Sequence, residues 1–121
     1  FKELTKDEYA KLEKLSYFGD PSLVYDVSIS RYEGIVYFPA AVIRDGRMLF
    51  YHNGGYGKKI PDEAALKKII TEALADQKKY VVIIATDIDG FVAKAEKIKA
   101  PSDEFVGADE KIRNRLYELG I

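Results

Sequence analysis

Residues 35–52 read Ile35-Val36-Tyr37-Phe38-Pro39-Ala40-Ala41-Val42-Ile43-Arg44-Asp45-Gly46-Arg47-Met48-Leu49-Phe50-Tyr51-His52. Two apolar, β-branched and aromatic runs flank Asp45-Gly46. That dipeptide in that setting is the strongest short hairpin signal, because both central residues of a type I′ turn need positive φ. The stretch predicts a strand over 35–43, a turn, and a second strand over 48–52. Pro39 has no N–H to give a ladder, so the first of these strands is expected to bend there or to lie at a sheet edge. Upstream, Leu23, Tyr25, Val27 and Ile29 alternate with Asp26, Ser28 and Ser30, the period of a half-buried strand with its apolar residues on one face. Arg31-Tyr32-Glu33-Gly34 reads as the turn that joins it to the hairpin, completing an antiparallel meander.

The flanking segments read mostly as helices. Thr5 followed by Glu8 is a capping box, with Leu4 and Tyr9 placed as its hydrophobic staple. Tyr9, Leu12 and Leu15 then repeat on one face, which predicts a helix over 5–16 ended by Gly19-Asp20-Pro21. After the meander, the glycine-rich loop of Asn53, Gly54, Gly55, Tyr56, Gly57, Lys58 and Lys59 leads into a helix over 62–77. Leu66, Ile69, Ile70, Ala73 and Leu74 form its apolar stripe. The run over 80–86 is almost uniformly apolar, as in a central strand covered on both faces. Asp89-Gly90 reads as a second hairpin turn, with the chain returning through Phe91, Ala93 and Ala95 between Lys94 and Glu96. Pro101 and Ser102 open a polar connection to a last helix over 108–119, which turns Ile112, Leu116 and Leu119 inward and stops at Gly120. The expected order is α-β-β-β-α-β-β-α: a single α+β domain over 1–121, with a five-stranded, mainly antiparallel sheet and helices packed against it.

Composition narrows the function classes. Apolar residues make up 47% and charged residues 32% of the 121, which excludes a disordered chain. Nineteen Lys+Arg balance twenty Asp+Glu, so the basic excess typical of nucleic-acid binding is missing. In the last helix Lys111, Arg113 and Arg115 are offset by Asp109, Glu110 and Glu118. No apolar run reaches membrane-spanning length. The absence of cysteine removes thiolate metal sites, thiol catalysis and disulfides. The chain opens on Phe1, as a processed or trimmed product would, and has no charged-then-apolar leader. Cytoplasm and export are therefore both open, as are oligomeric state and ligand identity.

Among chemical motifs, Val81-Val82-Ile83-Ile84-Ala85-Thr86-Asp87-Ile88-Asp89-Gly90 resembles the first motif of haloacid dehalogenase-type phosphatases. The resemblance implies Asp87 as nucleophile and Asp89 as acid/base. Phe91 stands where that family has threonine, and only residues 91–121 remain for the rest of its domain. Asp87 and Asp89 also fit positions 1 and 3 of a calcium loop, but Val92 and Ile98 occupy its glycine and glutamate positions. The stretch Val42-Ile43-Arg44-Asp45-Gly46, followed by a helix and an apolar strand, is similar to the periplasmic domain of ExbD/TolR-type transport proteins. That family departs at the N-terminal helix, the first strands and the Asp89-Gly90 hairpin. Roadblock and longin domains of the profilin-like type also resemble the composition of elements, but they divide their strands two-then-three. No family follows from these partial likenesses.

The remaining candidate is the glycine loop. It joins a strand to a helix N-terminus, where free N–H groups and the helix dipole favour an anion. Lys58 and Lys59 add charge there, although the Gly-Lys-Ser/Thr ending of a P-loop is absent. His52 precedes the loop on the face of Met48 and Phe50, the position of a core or rim histidine. Nine tyrosines suit either a strand-rich core or a recognition surface, since tyrosine brings area and a polar tip together. With catalytic and metal constellations poorly represented, the expected function is a non-enzymatic binding or protein-interaction domain with a protein partner and no cofactor or metal. The alternative is a sensor or enzyme for a small anionic, phosphate-like ligand held by His52, Gly54, Gly55, Tyr56, Gly57, Lys58 and Lys59. A third reading, a hydrolase using Asp87 and Asp89 with a divalent metal, follows from the phosphatase resemblance.

Overall fold

β1 (Leu23–Arg31), β2 (Gly34–Arg44) and β3 (Arg47–Tyr51) form the expected antiparallel meander. The structure is a computed structural model that describes residues 3–31, 34–53, 62–74 and 80–119. Arg44 pairs with Arg47 across Asp45 at φ 50° and Gly46 at φ 77°, the left-handed pair a type I′ turn demands. A Cβ on Gly46 would meet the Phe105 ring at 2.7 Å, so glycine lets the turn pack directly under the last helix.

β4 (Val81–Ala85) completes the sheet and corrects two expectations. Among the described residues the sheet has four strands in the order β1-β2-β3-β4, and β4 runs parallel to β3, so it is mixed rather than five-stranded and mainly antiparallel. The apolar run is an edge strand, not a central one. A strand, a helix and a strand in succession make a crossover unit, whose strands run parallel; the helix between is α2 (Glu63–Ala73). Lys94 Nζ donates to the Ile84 carbonyl at 3.2 Å, placing a lysine against the edge strand.

The second hairpin does not exist. Asp89 and Gly90 lie in the first turn of α3 (Ile88–Glu96), whose N-cap is Asp87: its carboxylate accepts the Gly90 N–H at 3.2 Å. The stretch also carries a helical stripe, Ile88, Phe91, Val92, Ala95 and Ile98, and this stripe packs onto the sheet. Between a turn dipeptide and a capped amphipathic helix, burial of the stripe decides. Replacing Asp87 with alanine is expected to cost about 1 kcal/mol through the lost cap. Asp89→Ala, which leaves the cap in place, should change thermal stability by less than about half that.

The outer helices shift at their ends. α1 (Lys6–Leu12) has both capping-box bonds, Glu8 N–H to Thr5 Oγ1 at 3.1 Å and Thr5 N–H to Glu8 Oε1 at 3.0 Å. It stops four residues short of the expected 5–16 because Glu96 takes the Ser16 N–H at 2.8 Å and its hydroxyl at 3.0 Å. Successive tight turns, such as Leu15 N–H to the Leu12 carbonyl, still carry Leu15 into the core. α2 closes at Leu74, before residue 77. α4 (Asp103–Leu119) begins five residues earlier than the expected 108, directly after Pro101-Ser102.

The helices cover both faces of the sheet. Leu66, Ile69 and Ile70 of α2 and Ile112 and Leu116 of α4 pack with Val24, Val27, Ile29, Phe38, Ile43, Phe50 and Ile84 on one face. Leu12 of α1 and Phe91 and Ala95 of α3 pack with Leu23, Ala40, Val42, Leu49 and Tyr51 on the other. Leu23 and Val27 therefore lie on opposite faces, against the simple alternation. The phase breaks at Asp26, which adopts φ 53°, opposite Pro39 in the register that pairs Tyr25 with Ala40 and Val27 with Phe38. β2 changes phase at the same level, from Phe38 to Ala41, so pairing survives and both strands swap faces together. Pro39 lies inside the sheet and not at its edge; it marks the change of phase, and beyond it residues 34–38 pair, among the described residues, with β1 alone.

Candidate interaction edge

His52 follows β3 and is 4% exposed, with the Phe38 ring edge-on at 5.7 Å and its own N–H donated to the Ala85 carbonyl. Burial pushes its imidazole below the ordinary value of 6.5. The unfolded chain thus takes up a proton at a pH where the folded one does not. Stability from this group is intact above about pH 6.5 and is lost as pH falls from there toward the depressed folded value. Urea midpoints at pH 7.5, 6.5 and 5.5 should decline, and His52→Gln should flatten part of that decline. Gly54, Gly55, Tyr56, Gly57, Lys58 and Lys59 lie outside the described residues.

The acidic pair of the phosphatase-like motif is occupied otherwise. Asp87 caps α3, and the exposed Asp89 meets Lys11 Nζ at 2.9 Å. Among the described residues no group of three or more His, Asp or Glu is arranged to hold a metal ion, and no helix is long and apolar enough to cross a membrane.

Tyrosines tie distant segments together. Tyr37 donates to Asp26, Tyr51 to Glu8 and Tyr80 to Asp109. Burial first, and then the partnered carboxylate, raises each of these phenols well above its ordinary value. The Tyr17 hydroxyl bonds the Ala95 carbonyl at 2.7 Å, and its ring lies under the Arg44 guanidinium at 3.9 Å. These side chains hold the fold together.

A different set converges on β1. Among the described residues that strand pairs only with β2. Its outward N–H and C=O groups, every second residue along nine, meet no other backbone group among the described residues. It contains neither lysine nor proline, the usual blunting residues of an edge; only the left-handed Asp26 interrupts it. Beside it stands an aromatic patch. Tyr9 of α1, 43% exposed, has the Phe18 ring edge-on at 5.8 Å and the Tyr25 ring at 6.2 Å. Tyr25 is half-buried, and burial, then Tyr9 and Glu13, pushes its hydroxyl up to about 12. The patch brings together a helix, a turn and a strand, so no local pattern announces it; Tyr9 in the sequence reads as a staple residue and as part of the stripe with Leu12 and Leu15. No protein-family model, no curated protein and no solved structure matches the chain.

Proposed function

We propose that this chain is a non-enzymatic protein-interaction domain that takes up an extended segment of a partner along β1. The observation that carries the reading is the nine-residue edge, unpaired among the described residues and flanked by Tyr9, Phe18 and Tyr25. Main-chain hydrogen bonds to such an edge supply affinity, and side-chain pockets beside it supply selectivity. Large aromatic side chains with a polar tip are the residue type that anchors interfaces.

The test is selection of binding peptides against the domain, followed by proline variants Ser28→Pro and Ile29→Pro. Successive strand residues point their N–H groups in opposite directions, so one proline removes an outward donor and the other a ladder donor. The outward variant should keep the parental melting temperature and lose the selected peptides. Peptides that bind both folded variants as they bind the parent would place the interaction elsewhere.

A second reading rests on the adjacent carboxyl ends of β3 and β4. The helices that follow them, α2 and α3, lie on opposite faces of the sheet. That is the crossing point where open parallel sheets bind ligands, and it sets His52 at the start of the glycine loop. A small phosphate-like anion held by Lys58, Lys59 and the loop amides is the corresponding ligand. Phosphate should then raise thermal stability more than chloride of equal ionic strength. The gain would be about 2.7 kcal/mol at a hundredfold excess over its dissociation constant. The Lys58→Ala/Lys59→Ala variant should lose that difference; an equal response in parent and variant rejects the anion site.

A further inference from the structure

Residues 3–18, which hold α1 and the tight turns after it, are joined to the rest of the domain mostly by side chains. Among the described residues, one backbone hydrogen bond links this segment to the chain beyond Gly19: the Asp20 N–H donates to the Tyr17 carbonyl at 2.9 Å. The buried side chains of the segment are Leu12 and Leu15. Its other ties gather on α3. One Glu96 oxygen accepts the Ser16 N–H at 2.8 Å and the other the Ser16 hydroxyl at 3.0 Å. The Tyr17 hydroxyl donates to the Ala95 carbonyl, and Lys11 meets Asp89. From the sheet, Tyr51 reaches Glu8 and the Arg44 guanidinium lies over the Tyr17 ring. On the far side of Gly19 the chain is anchored differently, because Asp20 accepts the Ser22 N–H and hydroxyl at 2.9 and 2.7 Å. Gly19 stands between the two at φ 91°, with open space where a Cβ would lie.

We propose that residues 3–18 form a strap that opens as one unit about Gly19 while the sheet and the other helices stay folded, with Glu96 as its clasp. A segment that shares few backbone bonds and few buried side chains with the core opens at a lower free energy than the whole domain. Glu96 holds Ser16 with both carboxylate oxygens, and charge-assisted bonds of this kind are the stronger ones. The exposed Lys11–Asp89 pair adds little. Opening lifts Leu12 and Leu15 from the sheet face of Leu23, Ala40, Val42 and Leu49. It also carries away Tyr9 and Phe18 and leaves Tyr25 alone on β1, so the aromatic side of the β1 edge exists only while the strap is closed. The last step rests on the strand-addition reading above: a strand seated against these rings holds the strap shut, and closure favours the strand by the same factor.

The experiment is native-state hydrogen exchange on the labelled domain in urea below its unfolding transition. The amides of Tyr9, Glu13, Lys14 and Leu15 should share one opening free energy and one urea slope, both lower than those of the β2–β3 ladder. Glu96→Ala should speed their opening at least about tenfold and leave the ladder amides within about twofold of the parent. Ser16→Ala, which keeps the backbone bond to Glu96, should fall between. Peptides selected on the parent and added at saturation should slow the opening of the same four amides at least about fivefold. Exchange of these amides only together with the ladder, or one by one without a shared urea slope, overturns the strap. An equal effect of Glu96→Ala on both sets of amides overturns the clasp. Peptides that protect β1 and leave α1 exchanging as in the free domain overturn the coupling. If no selected peptide protects β1, strand addition fails and the coupling with it, and the peptide-free exchange decides the strap by itself.

Discussion

Asp109→Ala is expected to lower folding stability by roughly 2–5 kcal/mol, because two hydrogen bonds to a buried carboxylate disappear and leave two partly buried donors without their acceptor. Asp109 lies on α4 and is 1% exposed. One oxygen accepts the Asp45 N–H at 2.9 Å, and the other accepts the Tyr80 hydroxyl. Asp45 in turn accepts the Ser102 N–H at 3.1 Å, and Tyr80 has the Phe105 ring edge-on at 5.6 Å. The carboxylate thus joins α4, the β2–β3 turn and the start of β4. Asp109→Asn separates the carboxylate from the shape. An amide accepts from Asp45 and donates to the tyrosine oxygen, so this variant should cost only about 1 kcal/mol. Tyr80→Phe orphans one oxygen and should fall between the two. Chemical denaturation reads all three; an alanine variant within about 1 kcal/mol of the parent means that water replaces both donors and the cluster does not hold α4.

Two Asp-Gly dipeptides in one chain show where local reading succeeds and where it stops. At Asp45-Gly46 the flanking runs are continuously apolar, β-branched and aromatic and are buried along most of their length, so the turn signal and the burial pattern agree. At Asp89-Gly90, Phe91, Ala93 and Ala95 fit a strand, while Ile88, Phe91, Val92 and Ala95 fit a helix equally well. The cap residue Asp87 stands in the sequence directly before the stripe, but the packing against Leu12, Leu49 and Tyr51 that settles it does not. The apolar run of β4 shows the same limit. Coverage by helices on both faces is legible in its composition, but a strand so covered can still be the last in the sheet, since position depends on pairing with β3. The break at Asp26 is non-local too. It follows from Pro39, which lies thirteen residues on and faces Asp26 only once the register is set.

The candidate edge was less legible than the fold. Tyrosine count alone does not separate structural from recognition roles. Tyr51 bonds a carboxylate 43 residues away and Tyr80 one 29 residues away, so their use as ties depends on the tertiary fold. The exposed aromatic patch likewise needs the turn over 16–20 to set Phe18 beside Tyr9. What the sequence does carry is the alternation within β1 and its lack of lysine or proline. Each is ordinary by itself and gains meaning only once β1 is known to be an edge.

Ile70→Ala should cost roughly 2–5 kcal/mol, the sum of lost transfer energy and the cavity that remains. Ile70 is fully buried and belongs to the cluster of Leu66, Ile69 and Leu74 with Val24, Phe38, Phe50, Ile84, Ile112 and Leu116. Its neighbours come from α2, α4 and all four strands, so no single segment can move in to refill the space, and the cost should lie toward the upper part of that range. Ile70→Val removes one methylene and should cost about 0.5–1.5 kcal/mol. Lys68→Ala, two residues away on the exposed side of α2, should stay within about 0.5 kcal/mol of the parent. The denaturant slope is expected to be the same for all four proteins, since the surface exposed on unfolding barely changes. A loss below about 0.5 kcal/mol for Ile70→Ala, or one matched by Lys68→Ala, would mean that α2 presents a different face to the sheet. The crossover from β3 to β4 would then have to be rebuilt around that face.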